Sequence, residues 1–349
     1  MTIVDTRVVC GGVDTHVDFH VAAVLDHIGG LLGVESFETT EAGYRKLLDW
    51  LEGFGVVMRI GVEGTGSYGT GLARFLHDRG LEVVEVDRPN RQLRHRRGKS
   101  DPVDAVAAAR AALSGEAAGH PKWRNGPAEQ MRVLLVARRS ARDQRIQTLN
   151  QIRQLVFTAP GPIRERFVGR PPTAMLTEVA KMRPHPSSDP VAYVTRCTIR
   201  DLARRIKVLD AETKQIRAKL EVLVQEMAPS LLELCGVGAE TAAMLLVAAG
   251  DNPHRIGSEA AWAHLCGVAP IPASSGKTIR HRLNRGGNRQ ANAALYRIVL
   301  SRLSCDQATQ AYMTRRLTED RSRKETIRSL KRYLARQIYK HLPPEHHLN

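Results

Sequence analysis

The sequence predicts an α/β domain with a mixed β-sheet, followed by a helical region and a mostly α-helical C-terminal domain. Three apolar, β-rich runs open the chain, and helix-like and strand-like segments then alternate as far as residue 113. Beyond residue 126 the patterning is mainly helical. We place the domains at residues 1–125, 126–228 and 229–349.

The first domain is expected to contain five strands. Short turns separate the runs VVCGGVDTH, FHVAAVLD and LLGVESFE, and two further strands follow in VVMRIGVEG and LEVVEVD. Helices are predicted over Glu41–Leu51 and Gly69–Asp78, and the helix DPVDAVAAARAAL closes the domain. Three successive strands followed by alternation indicate a sheet with both antiparallel and parallel pairs.

Two long helices are predicted in the middle region, over residues 128–157 and 191–227. A proline-rich segment between them cannot continue a helix. The second helix has apolar residues at alternating steps of three and four, which is a heptad pattern typical of a coiled coil. Self-association and packing within one chain both fit this pattern. Its members are Leu202, Ile206, Leu209, Thr213, Ile216, Leu220, Leu223 and Met227.

The charge of the chain points to a polyanionic partner. Lys and Arg number 52 against 36 Asp and Glu, which gives a formal net charge of +16. Residues 260–305 contain seven Lys or Arg and no acid, and residues 315–340 are also basic. No apolar run has the length of a membrane span, and the N-terminus does not have the layout of a signal peptide. We therefore expect a cytoplasmic protein that binds nucleic acid, not membrane.

The five cysteines are scattered along the sequence and include no CxxC pair. This spacing fits neither a disulfide framework nor a zinc site. We therefore interpret them as reduced thiols in the core.

An aspartate pair follows a basic run in the stretch RRGKSDPVDA. Asp101 suits the N-cap of a helix, Pro102 suits its first position, and Asp104 favours the positive end of the helix dipole. The same two carboxylates share one helix face and could instead hold a divalent metal ion. The pair on its own favours capping, and other acids are needed to decide.

Two more acids end predicted strands, Asp14 in GVDTH and Glu63 in GVEGTGSYG. Ligands bind at strand ends in open α/β sheets. If the two strands are neighbours, Asp14, Glu63, Asp101 and Asp104 converge, and their mutual repulsion requires cations. An all-oxygen set suits Mg²⁺ and phosphoryl transfer. The arrangement resembles the RuvC-like nuclease core of the RNase H fold, with its D-E-D-D set of acids.

The segment LLELCGVGAETAAMLLVAAG has the form of a helix-hairpin-helix motif. The amides at Gly236 and Gly238 could meet a DNA phosphate there. The alternative is an ordinary turn between packed helices.

Two serines stand in the proline-rich loop PIPASSGK, before a basic stretch. Ser274 or Ser275 could be a nucleophile if groups elsewhere activate it, and arginines stabilise phosphoryl transition states. The alternative is a DNA-gripping loop with two turn serines. The candidate nucleic-acid contacts, besides the two hairpin glycines, are Arg94, Arg96, Arg97, Lys99, Lys277, Arg280, Arg282, Arg285 and Arg289.

Five motifs in this order, GVDTH, GVEGTGSYG, KSDPVDA, LCGVG and PASSGK…RGGNRQANAAL, closely resemble the DEDD transposases of insertion-sequence family 110, which are bridge-RNA-guided serine recombinases. The resemblance implies a RuvC-like domain, a coiled-coil insert and a C-terminal transposase domain. It implies that Asp14, Glu63, Asp101 and Asp104 bind metal and that Ser275, next to Gly276, is the nucleophile; Ser274 stays possible because two serines precede this glycine. The implied partners are donor DNA, target DNA, a structured guide RNA and further copies of the chain in a dimer or tetramer.

Two other functions fit the same residues. One is a hydrolytic junction endonuclease that uses the acids with water as the nucleophile. The other is a nucleic-acid-binding protein without catalytic activity.

Overall fold

The computed structural model describes residues 7–86, 100–117, 119–186, 189–252 and 255–343. The chain folds into two compact units. The first comprises the described residues of Met1–Gly126 and Gly250–Arg255, and the second those of Pro127–Ala249 and Ile256–Asn349.

A five-stranded mixed sheet forms the centre of the first unit, in the order β3-β2-β1-β4-β5. Strands β1 and β2 pair antiparallel, as do β2 and β3, whereas β4 runs parallel to both β1 and β5. The predicted mixed sheet is therefore confirmed. The strands are β1 (Val8–Thr15), β2 (Phe19–Asp26), β3 (Leu31–Glu38), β4 (Val56–Glu63) and β5 (Val83–Val86).

Among the described residues, three helices flank this sheet, α1 (Glu41–Glu52), α2 (Thr70–His77) and α3 (Asp101–Leu113). Helix α1 begins at a Thr40 cap, whose side chain accepts a hydrogen bond from the Gly43 amide. Its apolar face and that of α2 bury Leu47, Leu51 and Leu72 in one core with the sheet. The alanines of α3 belong to smaller clusters with β1, β2 and β5.

Helix α3 lies unusually close to the sheet because two strand positions have no side chain. A Cβ atom at Gly12 in β1 would lie 2.0 Å from the Ala109 amide nitrogen. A Cβ atom at Gly61 in β4 would lie 2.5 Å from the Ala108 carbonyl oxygen. The helix backbone thus rests on the backbones of the two central strands, and its first turn is held near their ends.

The short segment at residues 250–255 completes the first unit. The Asn252 side chain is buried, accepts a hydrogen bond from the Trp123 amide at 3.0 Å and donates one to the Pro121 carbonyl at 2.7 Å. The Trp123 ring stacks on His77 of α2 with centroids 4.4 Å apart. One amide side chain therefore holds the two parts of the unit together.

Two long helices dominate the first half of the second unit, α4 (Pro127–Phe157) and α7 (Pro190–Met227). The proline-rich segment between them forms α5 (Gly161–Phe167) and α6 (Pro172–Ala180), as expected for a break in the helical pattern. Helix α7 packs along α4 of the same chain. The heptad positions that α7 buries are Ile206, Leu209, Ile216 and Leu220. Intrachain packing accounts for the pattern, so a coiled coil between chains is not confirmed.

The C-terminal part of the second unit is helical, as predicted, with α8 (Ala239–Ala249), α9 (Glu259–Leu265), α10 (Arg289–Cys305), α11 (Gln307–Thr318) and α12 (Arg323–Tyr339). These helices share a core that includes the fully buried Trp262. Between α9 and α10 the chain forms a short antiparallel hairpin of β6 (Ile271–Pro272) and β7 (His281–Arg282).

All five cysteines are free. Cys10 and Cys266 are buried, as expected of core thiols, but Cys235 and Cys305 are exposed, with their sulfur atoms 3.4 Å apart. The interpretation of the whole set as core residues is therefore wrong for this pair.

The close approach of α3 predicts that Gly12→Ala destabilises the protein. The added methyl group must push the helix backbone away, at a cost of about 1–3 kcal/mol. Gly119→Ala is the matched control, because its added Cβ would meet its nearest atoms at 3.8 Å, an ordinary contact distance. Urea unfolding followed by circular dichroism measures both changes. Equal stability of the two variants would contradict the packing described for α3.

Candidate functional site

The ends of β1 and β4 bring two of the predicted acids to the same edge of the sheet. Val13 in β1 pairs with Val62 in β4, so Asp14 and Glu63 are the next residues along two adjacent parallel strands. The Thr15 hydroxyl donates a hydrogen bond to the Glu63 carbonyl at 2.8 Å, which ties the two strand ends together. The Asp14 side chain is nearly buried, with the residue 7% exposed.

Helix α3 places the aspartate pair above this edge. Asp101 and Asp104 lie in its first turn, Asp104 buried and Asp101 half-exposed. The residue at the N-cap is Ser100, whose extended backbone precedes the helix, so the expected capping role of Asp101 is wrong by one position. The Asp101 carboxylate instead faces a histidine.

His16 joins the acids. Its Nε2 atom lies 3.0 Å from Asp14 Oδ2 and 3.3 Å from Asp101 Oδ1. One potential ligand atom from each of these three residues lies within 4.8 Å of the others. We did not predict His16, although it stands two positions after Asp14 in GVDTH, the spacing at which side chains along a strand share a face.

Burial and neighbouring charged groups shift the pKa of Asp14. Burial raises the pKa of Asp14 above its ordinary range, His16 partly offsets the shift, and the charges of Asp104 and Asp101 raise it further. Asp101 and Asp104 are therefore close enough to Asp14 to repel its charge. The Glu63 side chain is half-buried at the neighbouring strand end and is outside the three-residue group found among the described residues.

This donor set fits a hard divalent cation. Carboxylate oxygens suit Mg²⁺ and Mn²⁺, and one imidazole is compatible with Mn²⁺. A cation placed among the carboxylates would oppose the repulsion that raises the pKa of Asp14. The edge of the sheet therefore has the chemistry of a metal site for phosphoryl transfer.

The serine loop lies in the second unit, at the tip of the β6–β7 hairpin. The amide and carbonyl of Ser275 pair with those of Thr278 at 3.1 and 3.0 Å, and Gly276 has a φ of +55° in the tight turn between them. The Ser274 hydroxyl accepts a hydrogen bond from the Arg280 amide at 3.2 Å. The exposed Ser275 hydroxyl forms no hydrogen bond within the part of the chain that the structure describes.

The structure describes part of the predicted set of basic residues. Five of them are exposed along the stretch from the hairpin to the first residue of α10, namely Lys277, Arg280, Arg282, Arg285 and Arg289. The other basic candidates, Arg94, Arg96, Arg97 and Lys99, lie outside the described residues.

The helix-hairpin-helix prediction is not confirmed. Within residues 231–250 the structure contains one α-helix, α8, which follows a short 3₁₀ turn at Pro229–Leu231. The Gly238 amide already donates a hydrogen bond to the Thr241 hydroxyl at 3.1 Å. A Cβ atom at Gly236 would lie 3.1 Å from the Ile298 carbonyl in α10, so this glycine permits helix packing.

Comparison with known proteins assigns both regions to one family. Residues 11–159 match the DEDD transposase family of IS110, and residues 228–314 match the transposase family IS116/IS110/IS902. The chain belongs to the IS110 family of transposases.

Sequence similarity to a protein of insertion element IS110 supports the same assignment over a shorter part of the chain. The chain is similar to the insertion element IS110 uncharacterized 43.6 kDa protein of Streptomyces coelicolor, with 29% identity over 134 residues. The similarity covers 38% of this chain and 33% of that protein. Among the described helices of this IS110-family chain, none combines the length and apolarity that crossing a membrane requires.

The two family matches include both candidate centres. The DEDD match contains Asp14, His16, Glu63, Asp101 and Asp104, and the second match contains both serines of the hairpin. DEDD transposases typically use divalent metal, and the carboxylate–histidine cluster stands within that domain.

A metal ion at this IS110 site is expected to stabilise the first unit. Ligands that bind only the folded state raise stability, so Mg²⁺ or Mn²⁺ should raise the melting temperature of the wild-type protein. The rise should shrink strongly in Asp101→Asn, which removes one carboxylate charge. Asp18→Asn is the control, since Asp18 is exposed in the turn that follows β1. Equal metal-induced shifts in wild type and Asp101→Asn would exclude Asp101 as a ligand.

Without metal, Asp14→Asn is expected to stabilise the protein at neutral pH. The folded state raises the pKa of Asp14, so ionisation costs more in the folded than in the unfolded chain. Stability due to Asp14 therefore falls as pH rises from the ordinary value of 3.8 through the raised one. Urea unfolding in EDTA at several pH values should show the variant's advantage at neutral pH and a smaller one near pH 4. An advantage that does not change with pH would contradict this origin.

Proposed function

We propose that the protein is the transposase of an insertion sequence, which cuts and rejoins DNA strands under the guidance of a structured non-coding RNA. The main support is the convergence of Asp14, Asp101 and His16 at the sheet edge of a DEDD transposase domain. The exposed serine hairpin in the second matched region supplies a nucleophile for the same chemistry.

In this proposal the metal ligands are Asp14, Glu63, Asp101 and Asp104. A bound Mg²⁺ ion would supply positive charge that stabilises the phosphoryl transition state. The carboxylates hold this charge in place, and the buried Asp14, whose pKa is raised by burial, can accept a proton from an attacking hydroxyl. His16 lies against both Asp14 and Asp101 and orients their carboxylates.

The proposed reaction is a transesterification. The Ser275 oxygen forms a bond to phosphorus, the bond from phosphorus to one DNA oxygen breaks, and that oxygen leaves as a hydroxyl. The serine proton passes to a carboxylate, which returns it to the leaving oxygen. The phosphoserine ester keeps the energy of the original bond, so a hydroxyl of another DNA strand can reverse the step without ATP. Arg280, Arg282 and Arg285 are proposed to stabilise the phosphoryl oxygens.

The local geometry favours Ser275 over Ser274 as the nucleophile. The Ser274 hydroxyl is engaged with the Arg280 backbone across the hairpin, and attack would require this hydrogen bond to break. The Ser275 hydroxyl stands exposed at the turn, with Gly276 beside it and open space around the glycine. A bulky phosphodiester can therefore approach Ser275 from outside.

The partners proposed are donor DNA, target DNA and a guide RNA, with the chain acting as a dimer or tetramer. The formal net charge of +16 supports binding to nucleic acid. The guide RNA and the homo-oligomer follow from the family resemblance, and base pairing would then select the DNA site.

Ser275→Ala is expected to abolish both strand exchange and a covalent protein–DNA adduct, because no ester can form. The assay incubates purified protein with Mg²⁺, the flanking non-coding RNA and both DNAs, then separates adducts by denaturing electrophoresis. Ser274→Ala is the matched control and should keep the adduct, with exchange reduced by less than about tenfold, the effect of roughly one weak hydrogen bond.

Three outcomes would contradict the proposal. Adducts that persist in Ser275→Ala and vanish in Ser274→Ala would assign attack to the other serine. DNA with a free 5′-phosphate and no adduct would indicate hydrolysis by a junction endonuclease. Activities that all survive Asp14→Ala would indicate a binding protein without acid-dependent catalysis.

A further inference from the structure

A basic cavity lies beside the serine hairpin in the second unit. Its volume is about 1060 Å³, and its walls come from β7, the segment leading into α10, and one face each of α10 and α12. His281 and Arg282 of β7 belong both to the hairpin and to this wall. Whatever occupies the cavity is therefore held next to the strand that carries the serine turn.

The lining of the cavity is strongly cationic and contains no acidic side chain. Its cations are Arg282, Arg285, Arg289, Arg328, Lys331 and Arg332. Arg332 is paired with Glu259, the one salt bridge that these six side chains form among the described residues. Burial lowers the pKa of Lys331, whose Nζ donates a hydrogen bond to Asn292 Oδ1 at 2.9 Å and so joins α12 to α10. Such a field attracts a polyanion.

Two aromatic rings stand in the same cavity. Tyr296 of α10 is 44% exposed and Tyr333 of α12 is 55% exposed, so both rings keep surface that a ligand could cover. Tyr333 is steadied by an edge-on contact with Tyr312, at a centroid distance of 5.7 Å. A ring fixed in this way offers a flat surface for stacking.

We propose that this cavity binds an unpaired stretch of polynucleotide, with its phosphates on the arginines and lysine and its bases stacked on Tyr296 and Tyr333. Cations that follow a backbone together with aromatic rings are the two devices by which proteins hold single strands. The inference deepens the proposed function, because a strand held here would lie beside the hairpin of the proposed nucleophile.

The size and lining of the cavity favour this ligand over others. Its volume of about 1060 Å³ is just above the roughly 300–1,000 Å³ typical of small-molecule sites. This space accommodates a few unpaired nucleotides and not the width of a duplex. An acidic peptide would match the charge but has no flat ring in each repeating unit for the two tyrosines. An unpaired strand matches both features.

The test measures binding alone, in EDTA, so that strand exchange cannot contribute. Fluorescence anisotropy with labelled oligo-dT, oligo-U and a DNA duplex of equal length gives the affinities. The wild-type protein should bind a single strand more tightly than the variants Tyr296→Leu and Tyr333→Leu, by about tenfold for each ring, the effect of about one lost base stack. Tyr296→Phe and Tyr333→Phe should bind as wild type, because they keep the ring.

The control for the tyrosines is Tyr68→Leu, since Tyr68 lies in the first unit with the same exposure of 55% as Tyr333. For the charges, Arg328→Gln should lower the slope of log affinity against log salt by about 0.7, the value for one phosphate contact on a single strand. Arg321→Gln removes an exposed cation that does not line the cavity and should leave the affinity for the single strand unchanged. Circular dichroism establishes that each variant is folded.

Comparing the affinities for oligo-dT and oligo-U shows whether the bound strand is DNA or RNA. Tighter binding of oligo-U would identify RNA as the occupant, and tighter binding of oligo-dT would identify DNA. Either result supports the proposal if the leucine variants bind that oligonucleotide more weakly than the wild-type protein does. The proposal is overturned if both leucine variants bind single strands like wild type, if the duplex shows the same dependence on the tyrosines, or if polyglutamate displaces the oligonucleotides at equal charge. Failure of the Ser275→Ala prediction would leave these binding results unaffected, so the two proposals can fail separately.

Discussion

The candidate metal site depends on the close contact between helix α3 and the two central strands of the sheet. Glycines at positions 12 and 61 leave room for the helix backbone to lie directly on β1 and β4. The first turn of α3 is thereby fixed above the strand ends, where Asp14 and Glu63 emerge. Larger residues at either glycine would push the helix away from the sheet. They would thereby separate Asp14 from Asp101 and Asp104, which lie more than eighty positions later in the sequence.

The same contact makes the first unit less stable than it would be with neutral residues at this edge of the sheet. Asp14 is nearly buried next to Asp101 and Asp104, and burial together with their charges raises its pKa. Such an arrangement persists only when the surrounding fold determines it strongly, and charged clusters of this type are common at functional sites. The hydroxyl of Thr15 and the imidazole of His16 limit the cost, the first by linking two strand ends and the second by contacting two carboxylates.

Periodicity in the sequence predicted the strands and the long helices, because these depend on local patterns. The rule that parallel strands end together predicted that Asp14 and Glu63 lie at one edge of the sheet. It did not predict His16, whose role arises only from the nearness of Asp101 in the folded chain. Helix α3 begins one residue earlier than predicted, since Ser100 has the extended backbone of an N-cap and Asp101 is already helical. The heptad pattern of α7 identified a buried face but not its partner, because packing on α4 and on a second chain require the same spacing.

Asn252 has a practical consequence for anyone who wishes to isolate the metal-binding part of the protein. A fragment that stops at Gly126 would include every strand of the large sheet, yet it would lack the side chain that satisfies the Trp123 amide and the Pro121 carbonyl. Joining residues 250–255 to such a fragment through a short linker would restore those groups. An expression boundary drawn at the end of the sheet alone would therefore cut through a folded body.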